Sequence, residues 1–123
     1  MKKYILTTLS FILISITACK DDEGSPYYGA WKGSYSGNED NGSFSVLISE
    51  QGEISGTAVS DSLPNFPFNF MGNVDNNGNL SSTINVGFYE IIFTGMLSNN
   101  SGNGTWTADS NRLLGIWQAQ KIN

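Results

Sequence analysis

From residue 30 onward the apolar residues of this chain recur with period two almost everywhere, and the spacing of an amphipathic helix is absent. Successive side chains of a strand point to opposite faces, so this alternation commits the chain to β-structure. The pattern predicts eight strands: Ala30–Ser36, Ser43–Ser49, Ile54–Ser60, Phe66–Val74, Leu80–Val86, Glu90–Ser98, Gly104–Asp109 and Gly115–Ile122. Between them lie Gly37–Gly42, Glu50–Glu53, Asp61–Asn65, Asp75–Asn79, Gly87–Tyr89, Asn99–Asn103 and Ser110–Leu114, rich in Asn, Gly, Asp and Ser. These residues tolerate positive φ and hydrogen-bond their own backbone, which makes them turn formers. Every connection is short enough for a hairpin, so the expected fold is all-β, an eight-stranded up-and-down antiparallel meander. Closure into a small barrel would remove the exposed edges of a flat meander. A β-sandwich is the alternative.

A motif inside the strands bears on closure. Glycines flanked two residues either side by apolar residues occur in Trp31-x-Gly33-x-Tyr35, Ile54-x-Gly56-x-Ala58, Phe70-x-Gly72-x-Val74 and Phe93-x-Gly95-x-Leu97. Period two puts each glycine on the inward face with its apolar neighbours. Glycine weakens a strand unless the missing side chain serves something. Strong coiling and a neighbouring aromatic leaning across the gap would use it. A small-molecule pocket would use it too. With nine Phe and Trp residues after residue 18, each burying roughly 150–250 Å², a filled lumen is the expectation.

The first 19 residues carry a different message. Lys2 and Lys3 precede an apolar stretch, Ile5–Ile16, that ends in Ile16-Thr17-Ala18-Cys19, the chain's only cysteine. Twelve residues rise about 18 Å as a helix, short of the roughly 20 residues a membrane span needs, so the segment reads as a cleaved export signal. Its end resembles the bacterial lipobox, which implies lipidation of Cys19 and durable attachment through two or more acyl chains. Lys20-Asp21-Asp22-Glu23 resembles the acidic signal that sends some lipoproteins to the outer face of the outer membrane; a solvated spacer is the plainer alternative. The expected organisation is a signal peptide over 1–18, a lipidated Cys and acidic tether over 19–28, and a β-barrel domain over 29–123, lipid-anchored to the outer membrane of the cell envelope and exposed at the surface.

Without residues 1–18 the chain has four basic groups (Lys20, Lys32, Arg112 and Lys121) against eleven acids, a net charge of −7. Such a surface repels phosphate backbones, so nucleic acid is not an expected partner. A basic protein would be steered toward it. With Cys19 committed to lipid no disulfide can form, and packing alone must hold the domain. No histidine is present, which removes the common triads and His-bearing zinc sites. Asp75-Asn76-Asn77-Gly78-Asn79 starts like a calcium loop, but Leu80 and Val86 stand where its turn glycine and closing carboxylate belong, so it reads as a hairpin turn. No metal and no cofactor are expected.

Gly29-Ala30-Trp31 at the first strand, with Arg112 before the last, resembles the calycin arrangement of lipocalins and avidins. The resemblance implies an indole packed near the closed end of a barrel with a late basic residue over it. Three functions follow as expectations. The foremost is a non-catalytic interaction module acting through rim loops, with Asp61–Pro67 the candidate because Leu63, Phe66 and two prolines stiffen it. The second is a carrier of a small hydrophobic ligand, with Trp31, Tyr35, Phe66, Phe68 and Phe70 lining the interior and Asp61–Pro67 as lid. The third, a hydrolase using Asp61 and Glu90, is disfavoured because most acids lie in turns or the tether.

Overall fold

The computed structural model describes residues 24–85, 90–108 and 111–122. The strands are β1 (Gly29–Gly37), β2 (Asn41–Ile48), β3 (Glu53–Ser60), β4 (Phe68–Val74), β5 (Asn79–Asn85), β6 (Glu90–Leu97), β7 (Ser101–Ala108) and β8 (Leu113–Lys121). Each pairs antiparallel with its neighbours in sequence, and β8 pairs back onto β1 to close the barrel. The fold is therefore the expected eight-stranded meander, and the sandwich is excluded. The expected signal segment, Cys19, Lys20–Glu23, Val86 at the end of the fifth strand, the Gly87–Tyr89 turn, and Asp109 and Ser110 lie outside the described residues.

Boundaries differ by a few residues, for local reasons. The fourth strand starts at Phe68 rather than Phe66, since Pro67 has no N–H to give a ladder. The seventh starts at Ser101. Its turn needs only Asn99 and Asn100, because Ser98 N–H already donates to Ser101 O at 2.7 Å.

The path of one pairing row explains what the barrel can hold. From Ala30 it passes through Leu47, Ser55, Met71, Thr83, Ile92, Thr107 and Leu114. It returns to β1 beside Asn38, whose N–H donates to Leu114 O, eight residues beyond its start. Eight strands with a shear of eight is the combination found in the side-chain-filled core of (β/α)8 barrels.

The lumen here is filled. Trp31, Tyr35, Phe44, Val46, Ile48, Phe70, Ile84, Phe93 and Trp106 are buried, while Lys32, Ser45, Asn69, Thr83 and Thr105 face out. Phe68, expected inward, is half-buried at the rim. Rings touch in a chain from Trp106 through Tyr35 to Phe93, then Phe70 and Phe44, then Trp117, at centroid separations of 5.1–6.3 Å. Among the described residues the lumen holds an apolar void of about 20 Å3 between Trp31, Phe44, Phe70 and Trp117. That is room for one water at most, with nothing polar to hold it.

The inward glycines make this filling possible. Trp117 lies over Gly95 and Gly104, and its Nε1–H reaches Thr94 O at 2.9 Å. Trp106 lies over Gly37 and Gly115 in the same way and donates to Ser36 O at 3.1 Å. Phe44 lies over Gly33. Each indole thus occupies the space of absent side chains and satisfies its one donor on a main-chain carbonyl two strands away.

Candidate functional site

The two ends of the barrel are built differently. At the floor, residues 24–28 cross beneath the strands. Ser25 N–H donates to Glu50 O at 2.7 Å, Tyr27 N–H to Ser25 Oγ at 3.1 Å, and Trp31 Nε1–H to Tyr27 O at 2.9 Å. Ser25 and Tyr27 are buried. The short turns at 49–52, 75–78 and 98–100 complete this end. Asp75 accepts from Asn77 N–H, Asn79 N–H and Asn79 Nδ2 at 2.9–3.0 Å. The Asn79 amide leads the interactions that hold its carboxyl below the usual aspartate range. The would-be calcium loop is a self-capped hairpin turn. No metal-binding group of His, Cys, Asp or Glu occurs among the described residues.

At the rim, loops 38–40 and 61–67 meet around a polar cluster that sequence reasoning missed, while Asn38 ties the first of them to Arg112 O and Leu114 N–H. Asp40 accepts from Tyr35 Oη–H at 3.2 Å, Ser60 Oγ–H at 2.6 Å and Asn41 N–H at 2.9 Å. Burial, and then the Asp40 carboxylate, push the Tyr35 phenol well above its ordinary pKa. Tyr35 fits there because Gly42 leaves room for its hydroxyl. The only sequence signal was an Asp in a glycine-bounded turn, which any turn might contain.

The β3–β4 loop stands on this cluster. Its residues form two successive turns, Leu63 N–H donating to Ser60 O at 3.0 Å and Phe66 N–H to Leu63 O at 3.2 Å. Pro64 and Pro67 restrict the same stretch. The side chains that would be buried in an ordinary apolar loop are not: Leu63 is 47% exposed and Phe66 64%. At the same end Glu39 and Asp61 are exposed and Asp40 is half-buried, while Arg112 belongs to the β7–β8 loop, which adjoins the β1–β2 loop on its other side. The six residues expected to contact ligand or partner therefore separate. Trp31, Tyr35 and Phe70 are packed in the lumen, Phe68 is half-buried, and only Leu63 and Phe66 are freely presented.

Two expectations from the calycin resemblance also separate. Trp31 is 1% exposed and packs at the closed floor. Arg112 does not lie over it: its carbonyl accepts from Asn38 Nδ2 at 3.1 Å, at the rim. An antiparallel closing strand begins at the end of the barrel where β1 finishes, so a residue before β8 cannot reach the start of β1. The basic residue opposite Trp31 in register is Lys121.

The outer wall carries a further feature the sequence left unread. Leu47, Met71, Met96 and Ile116 are at least half exposed. Each sits next to an inward apolar residue (Ile48, Phe70, Leu97 and Trp117), so an apolar doublet within a period-two pattern was the available signal. Leu47 and Met71 line an open groove of about 1280 Å3 that runs along the outside of β1–β5 from Tyr28 to Thr83. Compared with known proteins, the chain matches no family model and no curated protein significantly.

Proposed function

We propose that this is an exported lipoprotein, held in the envelope through Cys19, whose barrel is a non-catalytic binding module that engages a basic protein partner through its rim. The observation that carries the reading is the exposure of Leu63 and Phe66 on a loop fixed by two turns. A side chain that remains exposed while its backbone is held loses little further entropy when a partner covers it, which is what binding residues on a rigid scaffold need. The acidic residues Glu39 and Asp40 of the adjacent β1–β2 loop and Asp61 of the loop itself lie at this end of the barrel and favour a cationic partner by steering. The geometry of the chain agrees with display. The tether joins at the floor and the loop lies at the far end.

The carrier reading has less support. Ligand pockets of that kind measure about 300–1000 Å3, against a lumen void of about 20 Å3. For the hydrolase reading, Asp61 and Glu90 are both exposed and lie on elements separated by β4 and β5.

Capture of envelope proteins on the immobilised protein tests the binding reading. Leu63→Asp should abolish recovery of a basic partner that the unaltered protein retains, and raised salt should weaken that recovery. A fatty acid or pigment co-purifying within the barrel would overturn the reading. For the anchor, Cys19→Ala should move the protein out of the membrane fraction and leave an uncleaved precursor; unchanged detergent partitioning would sink it.

A further inference from the structure

The groove on the outer wall lies where the chain would be tied to the membrane. Gly24, the first described residue, packs against Glu50 in the turn that follows β2. Only Lys20–Glu23 separate it from Cys19, and the five residue steps from Cys19 to Gly24 span at most about 18 Å. A barrel held that closely cannot keep all its sides away from the lipid. The side nearest the exit is apolar. Leu47 and Met71, each 62% exposed, lie on it with Tyr28 and Ile122, both 54% exposed. The register makes these one surface: Ala30 pairs with Leu47, Ser55 separates Leu47 from Met71, and Ile122 N–H donates to Ala30 O at 2.8 Å.

We propose that this wall of β1–β4, and not the floor alone, rests on the lipid surface, with Tyr28, Leu47, Met71 and Ile122 seated at the headgroup boundary. The inference rests on the anchor reading above. Tyr28 and Lys121 border the groove, and a ring with a polar tip beside a long cationic side chain suits an interface that is apolar below and wet above. Glu50 and Glu53 at the same end oppose an anionic surface, so the contact belongs to zwitterionic lipid. The barrel then leans on its tether with the β3–β4 loop at the end away from the anchor.

The test uses the full chain, matured in cells and reconstituted in phosphatidylcholine vesicles that contain a brominated phosphatidylcholine as quencher. Leu47→Cys, Met71→Cys and Thr105→Cys each accept one environment-sensitive fluorophore, because a thioether-linked Cys19 does not react. All three positions are exposed, so the substitutions leave the core intact. Labels at 47 and 71 should be quenched severalfold more than the label at 105, on the opposite wall. Equal quenching at the three positions, in protein that floats with the vesicles, overturns the inference and leaves the anchor standing. Labelling of Cys19 itself, in protein that fails to float, overturns the anchor and this inference with it.

Discussion

The floor and the rim close the same barrel by opposite means. The floor uses aromatic bulk and main-chain hydrogen bonds, with Trp31 buried in the core cluster and tied to Tyr27 O. The rim uses a carboxylate, Asp40, that gathers a phenol, a hydroxyl and a backbone amide. Its large apolar side chains, Leu63 and Phe66, are turned out. One end thus contributes stability and presents little, while the other contributes less and presents more. Substitutions at the two ends should separate folding from binding, and that separation can be broken or sharpened in order of effect.

The largest effect belongs to the floor. Trp31→Ala would empty a fully buried part of the core and strand the carbonyl of Tyr27, for a loss of about 3–5 kcal/mol. For a domain of this size that is a large share of total stability. Denaturant unfolding would read it. A loss below about 1 kcal/mol would mean that the indole does not hold the floor closed, and the contrast between the ends would fail.

Next come the glycines under the indoles. A Cβ on Gly104 would meet Thr94 O, the Gly95 backbone and Trp117 Nε1. Backbone atoms cannot swing aside as a side-chain tip can, so Gly104→Ala should destabilise by about 1–3 kcal/mol through overpacking. It should also release the Trp117 indole from Thr94, visible as a red shift of tryptophan emission. A neutral effect would show that the inward glycines are not what lets the aromatics fill the lumen.

These positions also show how much could be read before the structure. Eight strands, their inward faces and the inward glycines follow from period two, because a half-buried strand leaves that signature in every residue. The exposed loop 61–67 was found from its prolines and apolar residues, since such residues are out of place in a solvated turn. The Tyr35–Asp40–Ser60 cluster was not found. It joins three chain segments whose meeting depends on barrel register, and a lone Asp in a turn carries no trace of its distant partners. The outer groove is hidden for a related reason: Leu47 and Met71 sit beside inward Ile48 and Phe70, and in such a doublet the period-two pattern marks only the inward member. Arg112 lies at the rim because the closing strand runs antiparallel to β1, a direction that chain order alone does not carry.

The rim cluster should give a smaller, pH-dependent effect. Tyr35 has its folded pKa raised above the ordinary value of 10.0 by burial and by Asp40. The folded state therefore prefers the protonated phenol. That preference is fully present below pH 10 and is lost as pH rises through the folded value, because the unfolded chain ionises first. Urea midpoints should fall more steeply above pH 10 in the unaltered protein than in Tyr35→Phe. At neutral pH the same substitution should cost about 0.5–1.5 kcal/mol, one hydrogen bond, since Asp40 retains Ser60 and Asn41. Identical alkaline profiles would mean that the phenol is solvated and the rim cluster is loose.

The smallest stability effect should accompany the largest binding effect. Leu63 and Phe66 are exposed, and their loop is held through backbone bonds from Leu63 N–H and Phe66 N–H that do not involve their side chains. Leu63→Asp or Phe66→Asp should therefore change stability by no more than about 0.5 kcal/mol in either direction. Each would bring another negative charge into a surface already acidic at Asp61 and Glu39, and would replace the apolar tip that a partner must cover. If Leu63→Asp unfolds the domain as Trp31→Ala does, the loop is part of the core and the rim is not a presenting surface. If stability and partner capture are both unchanged, the rim is inert, and binding must be sought on the outer wall instead. Loss of capture at unchanged stability is the outcome that separates a structural end of this barrel from a functional one.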